Sequence, residues 1–263
     1  MVCVLDGVDV QIGDDSLGVS LAGVDLTVTW DEVAGAVGAA PAESALARTR
    51  LLTWWRLRAG LAALPDPLDV ARPVGLPVGH VLHPGPAWVR RSVLGGALDV
   101  GVGLLGLLDD PDEVVVPPLG LLAAAGMDDG GWWLPAARYL EEKGRVAGDR
   151  LHRDTSKPLR PIGDCDVVTL LASPSFRAAI CDYDPQRMRS AAVPMRRRGW
   201  LDLGRVDPAF AVAAAAATDP VDRGFDRPVL VTCEEVTMVA PGGRPVAQAL
   251  ADPAAPTNAW DRR

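Results

Sequence analysis

The sequence predicts a mixed α/β protein, of the α+β kind rather than a doubly wound parallel sheet. A β-rich amino-terminal segment leads into one long helix, and a larger domain of mixed helices and strands follows. Three patterns carry this. Val24, Leu26, Val28 and Trp30 alternate with Asp25, Thr27 and Thr29, the period-two signature of a half-buried strand. Pro41 and Pro65 bracket a stretch with no proline between them, Pro being favoured at a helix start and just past its end. Ala136, Leu140, Gly144, Ala147 and Leu151 recur at helical spacing, with Arg138, Glu141, Arg145, Asp149 and His152 on the opposite side.

Composition sets the background against which motifs are weighed. Of 26 basic residues only Lys143 and Lys157 are lysines, and Asn258 is the sole asparagine. Arg, Ala, Gly, Val, Pro and Trp, whose codons are GC-rich, are abundant, so clusters of them carry little weight. The 263 residues fit one large domain or two small ones and bury enough surface to fold without a metal or disulfide staple. The net charge of −8 argues against a nucleic-acid partner, since phosphate binding needs a net basic face. Cys3, Cys165, Cys181 and Cys233 have neither zinc nor disulfide-framework spacing, and no signal peptide is visible, so a cytoplasmic protein is expected. The longest uncharged apolar run, 114–127, has 14 residues and two prolines, too short for a membrane span.

Along the chain, Asp6-Gly7 suits a tight hairpin turn within 2–12, and the strand at 24–30 follows. Asp31 is the expected cap of a short helix ending near Gly38. The long helix is placed at 41–64. Leu46, Leu57, Leu61 and Leu64 share one stripe with Trp54 at its edge, Leu51 and Trp55 lie opposite, and arginines are scattered around it. Such a helix is either central in the core or faces a second body, and a core helix is the simpler reading. Residues 65–86 hold six prolines and read as an extended connector, separating 1–64 from a mixed domain at 87–240. Within that domain, 88–108 is read as a glycine-rich helix or helix-plus-turn, 113–116 as a strand and 118–125 as a short helix. The amphipathic helix at 135–153 follows, with a small core-facing side. Next come a buried strand at 167–171, a helix from Ser173-Pro174 to Cys181, a helix at 208–217 capped by Asp207, and a strand or hairpin in which Val229, Val231 and Cys233 alternate with Leu230 and Thr232 and Val236 and Met238 continue the pattern. A Pro/Ala-rich tail is expected over 241–263.

The candidate chemistry is sparse. Gly101, Gly103 and Gly106 form a G-x-G-x-x-G, but Asp109-Asp110-Pro111 leaves no room for the helix a dinucleotide site requires, so close packing is the better account. His80 and His83 form an H-x-x-H in an extended segment without nearby ligands. Asp164 and Asp166, at the start of the expected strand, would face one side and share a magnesium ion, as in phosphoryl or nucleotidyl transfer. Arg196, Arg197 and Arg198 are candidates for binding phosphate, or else a solvated turn paired with carboxylates; Trp200 beside them can stack on a base or an arginine. The pairs Trp54-Trp55 and Trp132-Trp133 each send two rings in different directions, which makes them candidate interface anchors.

Nucleophile-elbow, P-loop, zincin and C-x-x-C motifs are missing from the sequence. The leading expectation is therefore an interaction or accessory protein that self-associates or docks on a protein partner, without cofactor, nucleic acid or membrane. The alternatives are a magnesium-dependent phosphoryl- or nucleotidyl-transfer enzyme using Asp164 and Asp166, and a small-ligand binding protein.

Overall fold

The computed structural model describes residues 8–238 apart from 85–87, 94, 119, 127–128, 154–157, 183, 203–207 and 235. The Asp6-Gly7 turn, the Asp207 cap and the 241–263 tail lie outside the described residues. The fold is a mixture of helices and antiparallel sheets, as expected. The chain divides into two compact units. The first comprises Met1–Arg72, Pro84–Val89 and Val102–Ala136; the second comprises Pro73–His83, Arg90–Gly101 and Ala137–Arg263.

In the first unit, β1 (Asp9–Ile12), β2 (Ser16–Leu21) and β3 (Val24–Thr29) form an antiparallel meander. Leu26 and Val28 are buried and Asp25, Thr27 and Thr29 exposed, so the alternation over 25–29 is that of the pleat, whereas Trp30, expected as its last inward residue, is exposed and opens the next helix. Helix α1 (Trp30–Val37) starts earlier than Asp31 would cap it. Thr29 is the cap, in a reciprocal box with Glu32, so the last strand residue starts the helix. Helix α2 spans Ala45–Ala63 and so starts four residues after Pro41, because Ser44 is its cap and the Ser44 hydroxyl accepts from Ala47 N–H. Its residues Trp54, Trp55, Leu57, Ala59 and Leu61 are all buried, so this two-sided helix is central in the unit's core. Gly60 lets Leu107 approach to within 3.4 Å of where a Cβ would stand. The unit is completed by β7 (Val114–Val115), α3 (Leu121–Ala124) and the start of α4 (Asp129–Arg153).

In the second unit, β4 (Ala71–Pro77), β6 (Leu98–Leu105) and β5 (Arg90–Val93) make one sheet with β6 in the middle. The expected helix over 88–108 is therefore a strand pair. Its run of Gly and β-branched residues has no helical period, and β6 is buried on both faces, where a strand reads as continuous apolar sequence. The end of β6 belongs to the first unit and pairs with β7. A second sheet runs in the order β12 (Val236–Met238), β11 (Val229–Thr232), β9 (Met188–Met195), β10 (Arg198–Leu201), β8 (Pro158–Leu159).

The expected strand at 167–171 is a helical turn, α5 (Val167–Leu170), because the Asp166 side chain caps it and Val167 N–H donates to Arg196 O at 2.8 Å. Helix α6 (Pro174–Cys181) begins at Ser173 as read, and lies on β9 and β11. The small face of α4 does pack closely. A Cβ on Gly148 would stand 2.8 Å from the Ala179 Cβ of α6, and Gly144 abuts Ser173. Helix α7 (Pro208–Ala217) lies against β9.

Candidate functional site

Charged side chains gather in the second unit around the turn that leaves β4. Gly79 adopts φ +81°, and Val78 N–H donates to Ala97 O at 3.1 Å. His80 N–H donates to Pro77 O at 3.0 Å and His83 N–H to His80 O at 2.9 Å, so 78–83 is internally bonded. It presents His80 and His83 to two different partners.

His83 Nε2 lies 2.8 Å from Asp99 Oδ2, and Arg90 Nε lies 3.0 Å from the same oxygen. Asp99 is only 4% exposed, in the middle of β6. A carboxylate buried in an apolar strand needs partners, and these two provide them. Ser92 is the register partner of Asp99 and Arg90 that of Gly101, so Arg90, Ser92 and Asp99 share one sheet face. Asp99 thus orients the His83 ring through Nε2 and anchors the turn on the sheet.

His80 faces a second cluster. Its Nδ1 accepts from Leu82 N–H at 3.1 Å, which places the proton of the neutral ring on Nε2. Burial holds the imidazole below its ordinary pKa, and the Arg196 guanidinium pushes the same way. The carbonyls of Arg223 and Val221 and the Asp166 carboxylate oppose them more weakly. Arg196 Nε and Nη2 lie 2.8 and 2.7 Å from Asp166 Oδ2, while Asp166 Oδ1 accepts from Thr169 N–H at 2.7 Å. Thr169 Oγ1 in turn accepts from Gly75 N–H at 2.8 Å, tying β4 to α5.

The two aspartates expected to share a metal have different partners. Asp166 is the α5 cap paired to Arg196, whereas Asp164 Oδ2 accepts from Tyr139 Oη at 2.8 Å. Burial, first among its causes, raises the Tyr139 pKa and keeps that phenol a donor. Among the described residues no three His, Cys, Asp or Glu side chains converge as metal ligands.

The arginines at 196–198 sit at the β9–β10 hairpin turn, each differently employed. Arg196 is bound to Asp166, Arg197 is exposed, and Arg198 lies 5.2 Å above the Trp200 ring, which meets Phe210 edge-on at 5.7 Å. The indoles of Trp54, Trp55 and Trp132 are inside the core of the first unit, and Trp133 packs partly buried against it. Gly101 and Gly103 lie within β6, and Gly106 follows it at φ +67°, where a Cβ would meet Pro111 O at 2.8 Å. Gly106 thus serves close approach of backbone.

One sequence signal for the Asp99 cluster exists. An aspartate inside the apolar run 97–105 has to be paired somewhere, even though its partners lie outside that run. The exposed apolar side chains of the same turn carry no such signal. Val78, Val81 and Leu82 are 61%, 63% and 39% exposed, and Val221, whose carbonyl faces His80, is 49% exposed.

The chain matches no protein-family model, no curated protein and no solved structure.

Proposed function

We propose that the protein is an accessory protein that acts by self-association, with the turn 78–82 of the second unit as its contact surface. The observation that carries this is the exposure of Val78, Val81 and Leu82 together on a turn whose backbone is fixed by its own hydrogen bonds. Adjacent exposed apolar side chains on a rigid element mark an interaction surface, whereas single ones do not. The charges behind the turn are already paired within the chain, so the surface requires no complementary charge. A second copy, joined about a two-fold axis, satisfies it with the same side chains. The engagement of Asp164 by Tyr139 and of Asp166 by Arg196 favours this reading over magnesium-dependent transfer. The reading needs no cofactor, nucleic acid or membrane, and among the described residues no helix is long and apolar enough to cross one. The cytoplasm is the proposed setting, and Cys165, Cys181 and Cys233 are free thiols.

Light scattering coupled to size exclusion, over a concentration series with and without magnesium, tests it. A dimer indifferent to magnesium, converted to monomer by Val81→Asp with Leu82→Asp, is the expected result. A wild-type monomer at every concentration refutes self-association.

A further inference from the structure

A half-open cleft of about 290 Å³ lies elsewhere in the second unit, and its walls combine apolar side chains with two guanidinium groups. Leu151 and Arg150 come from the last turns of α4, Leu159 from β8, Arg160 and Ile162 from the segment after it, and Phe176 from α6. Leu151, Leu159 and Phe176 are buried and make the floor; both arginines are exposed at the rim.

Several arginines of this unit are committed. Arg90 holds Asp99, Arg189 holds Asp202 at 2.8 Å, Arg196 holds Asp166, and Arg177 donates to the carbonyls of Leu171 and Glu234. The side chains of Arg150 and Arg160 have neither an ion pair nor a hydrogen bond to a described residue. In a chain of net charge −8, two such guanidiniums border this one cleft. The guanidinium fork matches a carboxylate or phosphate edge, and an apolar floor beneath it accepts a short hydrocarbon body. The volume lies at the small end of ligand sites, which limits the ligand to a short chain or a single ring.

We propose that this cleft binds a small organic anion, its carboxylate or phosphomonoester head between Arg150 and Arg160 and its apolar body on Leu151, Leu159 and Phe176. The site is separate from the 78–82 turn and does not rest on self-association.

Isothermal titration calorimetry of the full chain with hexanoate, hexyl phosphate and neutral hexanol tests it. At least one anion should bind saturably at one site per chain, and hexanol at least about tenfold more weakly. Arg150→Gln and Arg160→Gln should each weaken the anion about tenfold, and Ile162→Trp, which narrows the mouth, should weaken it without removing charge. Binding of hexanoate alone assigns a carboxylate head, of hexyl phosphate alone a phosphate head, and of both the shared anion chemistry. The proposal is overturned if neither anion binds, if hexanol binds as tightly, or if both arginine variants bind like wild type. Both arginines are exposed and Ile162 is half-buried, and the melting temperature of each variant confirms folding.

Discussion

The two units bury different kinds of side chain. The core of the first is aliphatic and indole: Trp54, Trp55, Leu57, Val102, Leu104 and Trp132 are at most 2% exposed. Every polar or charged side chain that is buried among the described residues, namely Asp99, Thr169, Ser173, Arg177 and Ser190, belongs to the second unit. Apolar packing is non-directional and gives a stable scaffold. Buried polar groups demand fixed geometry, and so position particular atoms at a cost in desolvation. The difference teaches where to look for function. The Asp99–His83–Arg90 cluster, His80 with the Arg196 charge that acts on it, and the arginine-rimmed cleft are all in the second unit.

The largest expected effect breaks the scaffold. Trp54→Ala should cost about 3–5 kcal/mol, because a fully buried indole leaves a cavity that α2 cannot close. Hydrogen exchange read by mass spectrometry should show the loss concentrated over α1, α2 and the β1–β3 meander. A loss below about 1 kcal/mol would mean that the first core repacks around the gap and is less constrained than its burial implies.

Asp99→Ala comes next and acts on the second unit. It leaves the guanidinium of Arg90 and the imidazole of His83 without their shared carboxylate. Removing one partner of a fully buried pair costs about 3–5 kcal/mol; here Arg90 keeps some solvent contact, so about 2–3 kcal/mol is expected in urea unfolding. Faster exchange should appear over 78–83 and 90–93. The contrast between the units fails if peptides of α2 loosen as much as these.

That contrast bears on how much was legible in the sequence. Elements whose pattern is local were read correctly. The β3 alternation, the Ser173-Pro174 start of α6, α7, and the β11–β12 pair need only their own residues. Elements decided by distant partners were not. The run Val167–Leu170 has strand-like side chains, but becomes helical because Asp166 caps it and Arg196 supplies an acceptor some thirty residues on. At the β9–β10 hairpin, in the centre of the larger sheet, the three arginines are legible as a turn paired with carboxylates, but the strands on either side of it have no clear local pattern. The connector at 65–86 contains β4, whose prolines Pro73 and Pro77 are tolerated in a strand buried along most of its length. For the site, the H-x-x-H spacing was visible, but its meaning depends on Asp99, Arg90 and Arg196, which only the fold brings near. The tryptophan pairs illustrate the reverse. Their placement on two sides of a helix was legible, and that same geometry sends Trp54 and Trp55 both into the core.

A smaller effect sharpens the comparison from the scaffold side. Thr29→Ala removes the side-chain half of the α1 capping box, in which Thr29 Oγ1 accepts from Glu32 N–H at 3.2 Å. The expected loss is about 1 kcal/mol, confined to the first unit, and Thr29→Ser should restore most of it. Equal stability of the alanine and serine variants would show that the β3–α1 junction is set by packing alone.

The smallest effect is a pH dependence, and its sign follows from the environment of His80. Burial and the Arg196 guanidinium hold its pKa below 6.5, while Asp166 and the carbonyls of Arg223 and Val221 oppose them without prevailing. The folded state therefore disfavours the proton relative to the unfolded state. The unfolded chain binds more protons as pH falls through 6.5, so His80 favours folding fully above that value and progressively less as pH drops toward its lower folded pKa. Wild type should lose melting temperature between pH 7 and pH 5, and His80→Asn should lose less over the same interval, because an asparagine amide accepts from Leu82 N–H without titrating. Exchange over 78–83 at the lower pH should rise in wild type and stay flat in the variant. Identical pH profiles for the two proteins would mean that protonated His80 finds an acceptor at Nε2 among the Val221 and Arg223 carbonyls good enough to cancel the repulsion from Arg196.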